Sequence, residues 1–306
     1  MRKFWGSAAM ITATVLWGVS FSAQSSGMRF VEPILFTTLR SLVGFLALAA
    51  VIVVTDLCRG KRISLWGDAQ SKTAQKELIA GGVWCGIVLA AASICQQYGL
   101  KYTSAGKTGF LTALYIVIVP LLGIFFKRKT SPLLWAATVL ALGGSYLLCG
   151  GISNIGLGES FVIICAVIYS VHIMVIDHYA ARCDCVRLSC IQFLVTTILA
   201  FSASLISREP WVAEKITASL PFWIFCGVGS SAIAFTLQMV AQKYLHPVTA
   251  TLLMSLESVF AVLGGWIFLK ERLTSGELTG CAVIFAAIIL SQLPPELFRP
   301  LKKPAE

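Results

Sequence analysis

Long apolar stretches limit what this chain can fold into more than any other feature. Ten of them lie at about 4–24, 33–55, 77–98, 103–126, 131–149, 156–177, 187–206, 220–242, 248–269 and 276–293. Each is close to the roughly 20 residues that a helix needs to cross a bilayer. Charge is correspondingly scarce. Of 306 residues, 57% are hydrophobic and 12% charged, and the mean hydropathy is +0.84; soluble domains carry about 25% charged residues. The longest remaining segment, Asp56 to Lys76, is too short for a soluble domain. Strands of an outer-membrane barrel would be about 10 residues of alternating polarity, which these runs are not. The sequence therefore predicts an all-α integral membrane protein of ten transmembrane helices embedded in the lipid bilayer.

The net charge of +10 follows from the same architecture and does not point to nucleic acid, because Lys and Arg accumulate in short cytoplasmic loops. With the N-terminus placed inside, sixteen basic residues fall in inside segments, among them Arg59, Lys61, Arg62, Lys127, Arg128, Lys129, Arg182 and Arg187. Six fall outside, namely Arg29, Lys101, Arg208, Lys215, Lys270 and Arg272, and Arg40 and Lys107 lie within spans. That asymmetry predicts both termini in the cytoplasm. The ten cysteines sit mostly inside apolar stretches, where Cys acts as a small hydrophobe, and form no secretory framework. The first apolar stretch is longer than a signal-peptide core and runs into a second span, so it reads as retained.

The chain also repeats itself. Shifted by 142 residues, positions 90–126 match at Ala90/Ala232, Ala92/Ala234, Gln96/Gln238, Lys101/Lys243, Tyr102/Tyr244, Leu111/Leu253, Leu114/Leu256, Val117/Val259, Leu121/Leu263, Gly123/Gly265 and Phe126/Phe268. These 11 matches in 37 positions exceed the roughly one in ten expected of an apolar-rich chain at fixed offset. The expected units are 1–150 (spans 1–5) and 151–306 (spans 6–10 and a short cytoplasmic tail). Five spans is an odd number, so the second copy enters the membrane upside down. Two inverted repeats around a shared midplane site are a recurrent design of secondary transporters.

Several motifs resemble those of one family. Leu16-Trp17-Gly18-Val19-Ser20-Phe21 in the first span resembles its Trp-Gly-x-x-Phe opening, and Pro33 through Leu46, with Arg40, its second-span signature. Tyr102-Thr103-Ser104-Ala105-Gly106-Lys107 with Val119-Pro120-Leu121 resembles the fourth span; Leu256-Glu257-Ser258-Val259-Phe260 and Lys270-Glu271-Arg272-Leu273-Thr274 resemble the ninth and its exit. On these residues the chain resembles the drug/metabolite transporter superfamily, EamA-like ten-span branch, over nearly its whole length. The resemblance implies a secondary active transporter of small metabolites, often an exporter of amino acids or related compounds, in a bacterial cytoplasmic membrane. The chain departs from the pattern twice. Span four exits through Lys127-Arg128-Lys129, where many relatives carry Glu-Arg, and the usual Glu-Pro of span nine is Glu257-Ser258, which is expected to straighten that helix.

Ionisable groups within spans are functional candidates by default. Arg40 could bind an anion, or anchor neighbouring helix ends. Lys107 could receive a carboxylate or phosphate, or snorkel to the outer interface. Glu257, near mid-span, is the candidate for proton coupling or for gripping a substrate amine; its structural alternative is a protonated carboxyl bonded to backbone carbonyls. Gln96 and Gln238, equivalent in the two repeats, could line a shared cavity or bond helix to helix. Trp17, Tyr115 and Tyr169 could wall that cavity or simply pack. Pro120, inside span four, is expected to bend it. Gly82/Gly86 and Gly276/Gly280 are spaced for close helix approach, and Glu159 is placed to interact with the start of span six.

Two rivals stand beside transport. His178, Cys183, Cys185 and Cys190 could bind a metal, but Cys-x-Cys is not a usual zinc spacing, so no metal and no cofactor are expected. An integral membrane enzyme, or a scaffold without transport activity, would need clustered acids or histidines, or larger loops; Asp177, His178 and Asp184 are the only such group. No Gly-x-x-x-x-Gly-Lys loop is present, so transport would draw on a gradient rather than on ATP by that route. Substrate identity, direction, coupling ion and oligomeric state do not follow from the residues.

Overall fold

A computed structural model describes residues 2–67, 71–125, 131–148, 155–270 and 274–292, and all regular structure within them is helical, with no strand. The helices are α1 (Arg2–Gly27), α2 (Pro33–Cys58), α3 (Lys72–Tyr102), α4 (Ala105–Thr112), α5 (Tyr115–Phe125), α6 (Pro132–Leu148) and α7 (Leu157–Ala180). They continue with α8 (Cys185–Ile206), α9 (Ala213–Ala218), α10 (Leu220–Phe225), a π-helical stretch (Cys226–Ala234), α11 (Phe235–Gln242), α12 (Pro247–Met254), α13 (Leu256–Leu269) and α14 (Ser275–Gln292). Among the described residues, eight segments are long and apolar enough to cross a membrane: Lys3–Gly27, Pro33–Cys58, Lys72–Tyr102, Ala105–Phe125, Leu157–Ala180, Cys185–Ile206, Leu220–Gln242 and Pro247–Phe268. The apolar parts of α6 and α14, Pro132–Gly144 and Leu278–Leu290, are shorter. These two occupy the stretches read as spans five and ten. The exit at Lys127-Arg128-Lys129, the residues Glu271 to Leu273, the tail from Leu293 and the junction at 150/151 lie outside the described residues.

Apolar side chains cover the outside as well as the core. Leu46, Val51, Val54 and Leu57 on α2, and Ile198, Leu205 and Ile206 on α8, are exposed. A soluble monomer could not leave so much contiguous apolar surface in water, whereas lipid requires it. Within the bundle α3 packs between α7 and α8, α2 lies along α8, α6 along α14, and α1 along α13 and the π-helical stretch. Glycine permits the closest of these approaches. A Cβ on Gly82 would fall 2.5 Å from Ile191, one on Gly86 2.7 Å from the Gln192 carbonyl oxygen, and one on Gly144 3.0 Å from the Gly280 carbonyl oxygen.

Among the described residues spans four and nine are broken, the first away from Pro120 and the second where a straight helix is expected. Span four is interrupted between Thr112 and Tyr115, not at Pro120, which sits inside α5. The amides of Leu114, Ile116 and Val117 each donate to the carbonyl three residues back. A proline ring clashes with the carbonyl four residues earlier, so the distortion appears upstream of Pro120, as a tightened turn. Span nine, expected to be straight with Ser258 in place of proline, is broken at Ser255. The Ser255 hydroxyl donates to the Leu252 carbonyl at 2.7 Å, and that of Thr251 to the Val248 carbonyl at 2.9 Å. Such back-bonding bends helices without proline.

Candidate functional site

The two breaks face a common interior space. Beyond the first, Tyr115 opens α5; beyond the second, Glu257 lies in the first turn of α13, where the half-helix N-terminus favours a negative charge. Their side chains line one cavity. The Tyr115 hydroxyl is buried in the same wall without a hydrogen-bond partner. From α1 come Trp17, Phe21 and Gln24, from α2 Arg40, from α3 Gln96, from α4 Thr112 and from α7 Tyr169. Ser230 of the π-helical stretch, Phe235 and Gln238 of α11 and Met254 of α12 complete the wall. Trp17 meets Phe235 edge-on at 5.0 Å.

Seven of the eight residues singled out from sequence thus line one cavity: Trp17, Arg40, Gln96, Tyr115, Tyr169, Gln238 and Glu257. Lys107 does not. It sits at the start of α4 with its side chain 46% exposed, 3.9 Å from Glu159, which also accepts from the Thr103 hydroxyl (2.8 Å) and the Gly156 amide (3.0 Å). The cation that does enter the cavity, Arg40, is 3% exposed, and its Nε has no hydrogen-bond partner. Among the described residues no carboxylate lies within ion-pair distance of it. A buried guanidinium without a counter-ion is costly and is suited to receive a carboxylate in two-point geometry. Glu257, 5% exposed, is a buried acid in the same wall.

The repeat reappears in the geometry. Gln96 Nε2 donates to the Thr112 hydroxyl at 3.4 Å, and Gln238 Nε2 approaches the Met254 sulfur at 3.9 Å. Thr112 and Met254 stand at the same 142-residue shift as the two glutamines. Tyr169 donates to Gln96 Oε1 at 3.4 Å, while Trp17 Nε1, Gln24 Oε1 and Gln238 Oε1 are buried without partners. Buried polar groups are rarely left so, and several unsatisfied donors and acceptors around one cavity describe a polar binding surface. Of the lining residues missed in the sequence, Phe21 and Gln24 follow Trp17 at helical spacing, and Thr112 and Met254 follow from the repeat shift. Ser230 carried no signal, because a π-helical stretch is not legible in residue spacing. His178, Cys183, Cys185 and Cys190 do not converge, and among the described residues no three metal-ligating side chains do.

The profile of the EamA-like transporter family matches residues 4–150 and again 156–293. The chain belongs to the EamA-like transporter family. It is a multi-pass membrane transporter, consistent with the drug/metabolite transporter superfamily. It is similar to an uncharacterized transporter of Archaeoglobus fulgidus, 24% identical over 299 residues that cover 96% of this chain and 87% of that one. It is also similar to the uncharacterized transporter YoaV of Bacillus subtilis, 20% identical over 288 residues covering 92% and 94%. One solved crystal structure superposes with a TM-score of 0.74 at 20% identity, over 94% of this chain and 96% of its own; at that identity the likeness is one of fold. In this EamA-like transporter the cavity holds a buried cation, Arg40, and a buried acid, Glu257.

Proposed function

We propose that this EamA-like transporter is a secondary active exporter of a small metabolite that carries both a carboxylate and an amine, of the amino-acid class. The observation that carries the reading is the opposed pair in the cavity wall, Arg40 with its unpartnered Nε and Glu257 at a half-helix N-terminus. Arg40 takes the carboxylate, Glu257 takes the amine or a proton, and Trp17, Phe21, Tyr115, Tyr169 and Phe235 enclose the apolar part.

In this reading the chain forms ten spans, α6 and α14 crossing as well, arranged as two inverted five-span halves of 1–150 and 151–306. Supporting it are the breaks at Ala113 and Ser255, 142 residues apart, and the corresponding Gln96–Thr112 and Gln238–Met254 contacts. Halves that exchange conformation around a midplane site give alternating access. Both termini lie in the cytoplasm and the membrane is the cytoplasmic one, as the basic residues favour.

The test is flux in proteoliposomes loaded with a pool of amino acids and related metabolites, with and without an imposed pH gradient. Saturable, selective loss of zwitterionic compounds is the expected result. Loss confined to compounds with only one of the two charges would overturn the Arg40–Glu257 assignment, and no loss from folded protein would overturn transport.

A further inference from the structure

The 142-residue shift sets two glutamines in the cavity wall and leaves them in opposite states. Gln96 is engaged within the protein: its Nε2 donates to the Thr112 hydroxyl and its Oε1 accepts from Tyr169, both at 3.4 Å. Its counterpart Gln238 has Met254 where Gln96 has Thr112. The Gln238 Nε2 therefore meets a thioether sulfur, at 3.9 Å, and its Oε1 has no partner although the residue is 1% exposed. Turning the amide over does not remove the orphan. It sets the carbonyl oxygen against the sulfur, itself a weak acceptor, and leaves the NH2 group unpaired instead.

A second orphan stands beside it. Trp17 lies on α1, which packs along α11, and its ring meets Phe235 edge-on at 5.0 Å. Gln238 follows Phe235 by three residues, one turn on along the same helix face. Trp17 Nε1 is buried in the cavity wall with no acceptor, so the two orphans do not satisfy each other. An indole N–H only donates and an amide oxygen only accepts. One small group satisfies both if it is at once an acceptor and a donor, as a carboxamide or a hydroxyl is. Gln24, whose Oε1 is also unpartnered, is seven residues along α1 from Trp17, about 10 Å, too far to share that group. With Arg40 and Glu257 holding the charged ends of an amino acid, the Trp17–Gln238 pair falls to its side chain.

We propose that Trp17 and Gln238 are specificity-determining residues that select an uncharged, hydrogen-bonding side chain: Trp17 Nε1 donates to it and Gln238 Oε1 accepts from it. An aliphatic side chain of the same size leaves both protein groups buried and unpaired, the situation in which a polar site rejects an analogue most strongly. A side-chain carboxylate satisfies Trp17 but sets a second acceptor against the Gln238 oxygen, and adds a buried charge when Arg40 is already engaged. The aromatic rings enclose the methylene part in each case, so the discrimination lies with the two polar atoms. The proposal rests on the reading that Arg40 and Glu257 hold an amino acid in this cavity.

The test uses proteoliposomes loaded with equal amounts of isotopically labelled amino acids in near-isosteric pairs, asparagine with leucine and threonine with valine, and with aspartate. The wild type is expected to move the polar member of at least one pair about tenfold faster than its apolar partner, and faster than aspartate. Which pair shows the preference tells carboxamide from hydroxyl. Trp17→Phe keeps an aromatic ring and loses the N–H, and Gln238→Met keeps the length and loses the amide. Each is expected to bring that ratio to within about threefold of unity. Gln96→Leu, at the amide engaged within the protein, is expected to lower both rates and keep the ratio. A ratio taken within one preparation does not depend on how much protein folds. A wild type that moves leucine and valine as fast as their polar partners overturns the proposal and leaves amino-acid transport standing. A ratio unmoved in either variant, or one that collapses equally in Gln96→Leu, overturns it too. Should a variant not fold, the wild-type ratios decide alone. No flux of any amino acid from folded wild type removes the reading on which the proposal rests, and the proposal with it.

Discussion

Asp56 and Arg187, separated by 131 residues, meet at 2.6 Å where the end of α2 reaches the start of α8, with both side chains buried. The Asp56 carboxylate also accepts from the Ser64 amide, Arg187 Nε donates to the Ser64 carbonyl, and Asp184 accepts from the Arg187 amide. At the other end of the same pair, Glu209 accepts from the Ile34 and Leu35 amides at the start of α2. A carboxylate therefore ties α2 to α8 at each end. Removing one member of a buried ion pair leaves an uncompensated charge, whereas replacing both by apolar residues is often neutral. Arg187→Met alone and Asp56→Leu alone are expected to lower the apparent Tm in detergent clearly. The double variant should recover most of that loss. A double variant no better than the worse single one would show that the pair does more than hold the helices.

Glu257→Gln should insert and fold like wild type yet move substrate poorly. A hydrogen bond to a charged group contributes about 1.5–3 kcal/mol, equivalent to about 10–100-fold in half-saturation concentration for an amine-bearing compound. Flux into proteoliposomes, normalised to folded protein, measures it. Uptake unchanged within twofold would take Glu257 out of the site.

Arg40, buried in the cavity wall, and Lys107, exposed at the start of α4, should respond differently to substitution. Arg40→Gln leaves a carboxylate without its cation and should reduce transport of carboxylates at least about tenfold, with Arg40→Lys only partly restoring it because two-point geometry is lost. Lys107→Gln removes an exposed, 3.9 Å ion pair, of the kind worth at most about 1 kcal/mol, and should leave flux within about twofold of wild type. Equal losses in both variants would mean that Lys107 reaches the substrate in another conformation.

Much of this arrangement was legible because a membrane simplifies the code. Charges within apolar runs are few, so Arg40 and Glu257 are legible as candidates, and the 142-residue shift alone pairs Gln96 with Gln238. Depth along a helix was the weaker inference. Lys107 is four residues from the start read for its span, close enough for its side chain to leave the bilayer, and there it pairs with Glu159. Proline alone does not locate the bends, because Thr251 and Ser255 bend span nine through their hydroxyls. The contacts of His172 with Tyr169 and Phe235 are not legible in the sequence. A lone histidine in an apolar run carries no pattern, and its place behind Tyr169 and Phe235 exists only once α7, α8 and α11 are packed together.

Glycine substitutions test the packing independently of any substrate. At Gly18 an added Cβ would lie 2.3 Å from the Phe260 side chain and 2.7 Å from the Phe260 backbone, between α1 and α13. No rotamer change relieves contact with backbone, so Gly18→Ala must push apart the two helices that carry Trp17 and Glu257. At Gly143 nothing stands within 4 Å of the added atom, and Ala is favoured over Gly in a helix by about 1 kcal/mol. Gly18→Ala should therefore lower both Tm and flux, while Gly143→Ala should leave flux unchanged and Tm equal or higher. Thermal melting in detergent and proteoliposome flux on the same preparations measure both. A Gly18→Ala protein with wild-type Tm and flux would mean that α1 and α13 are not in this contact in the membrane, and the cavity drawn from them would have to be redrawn.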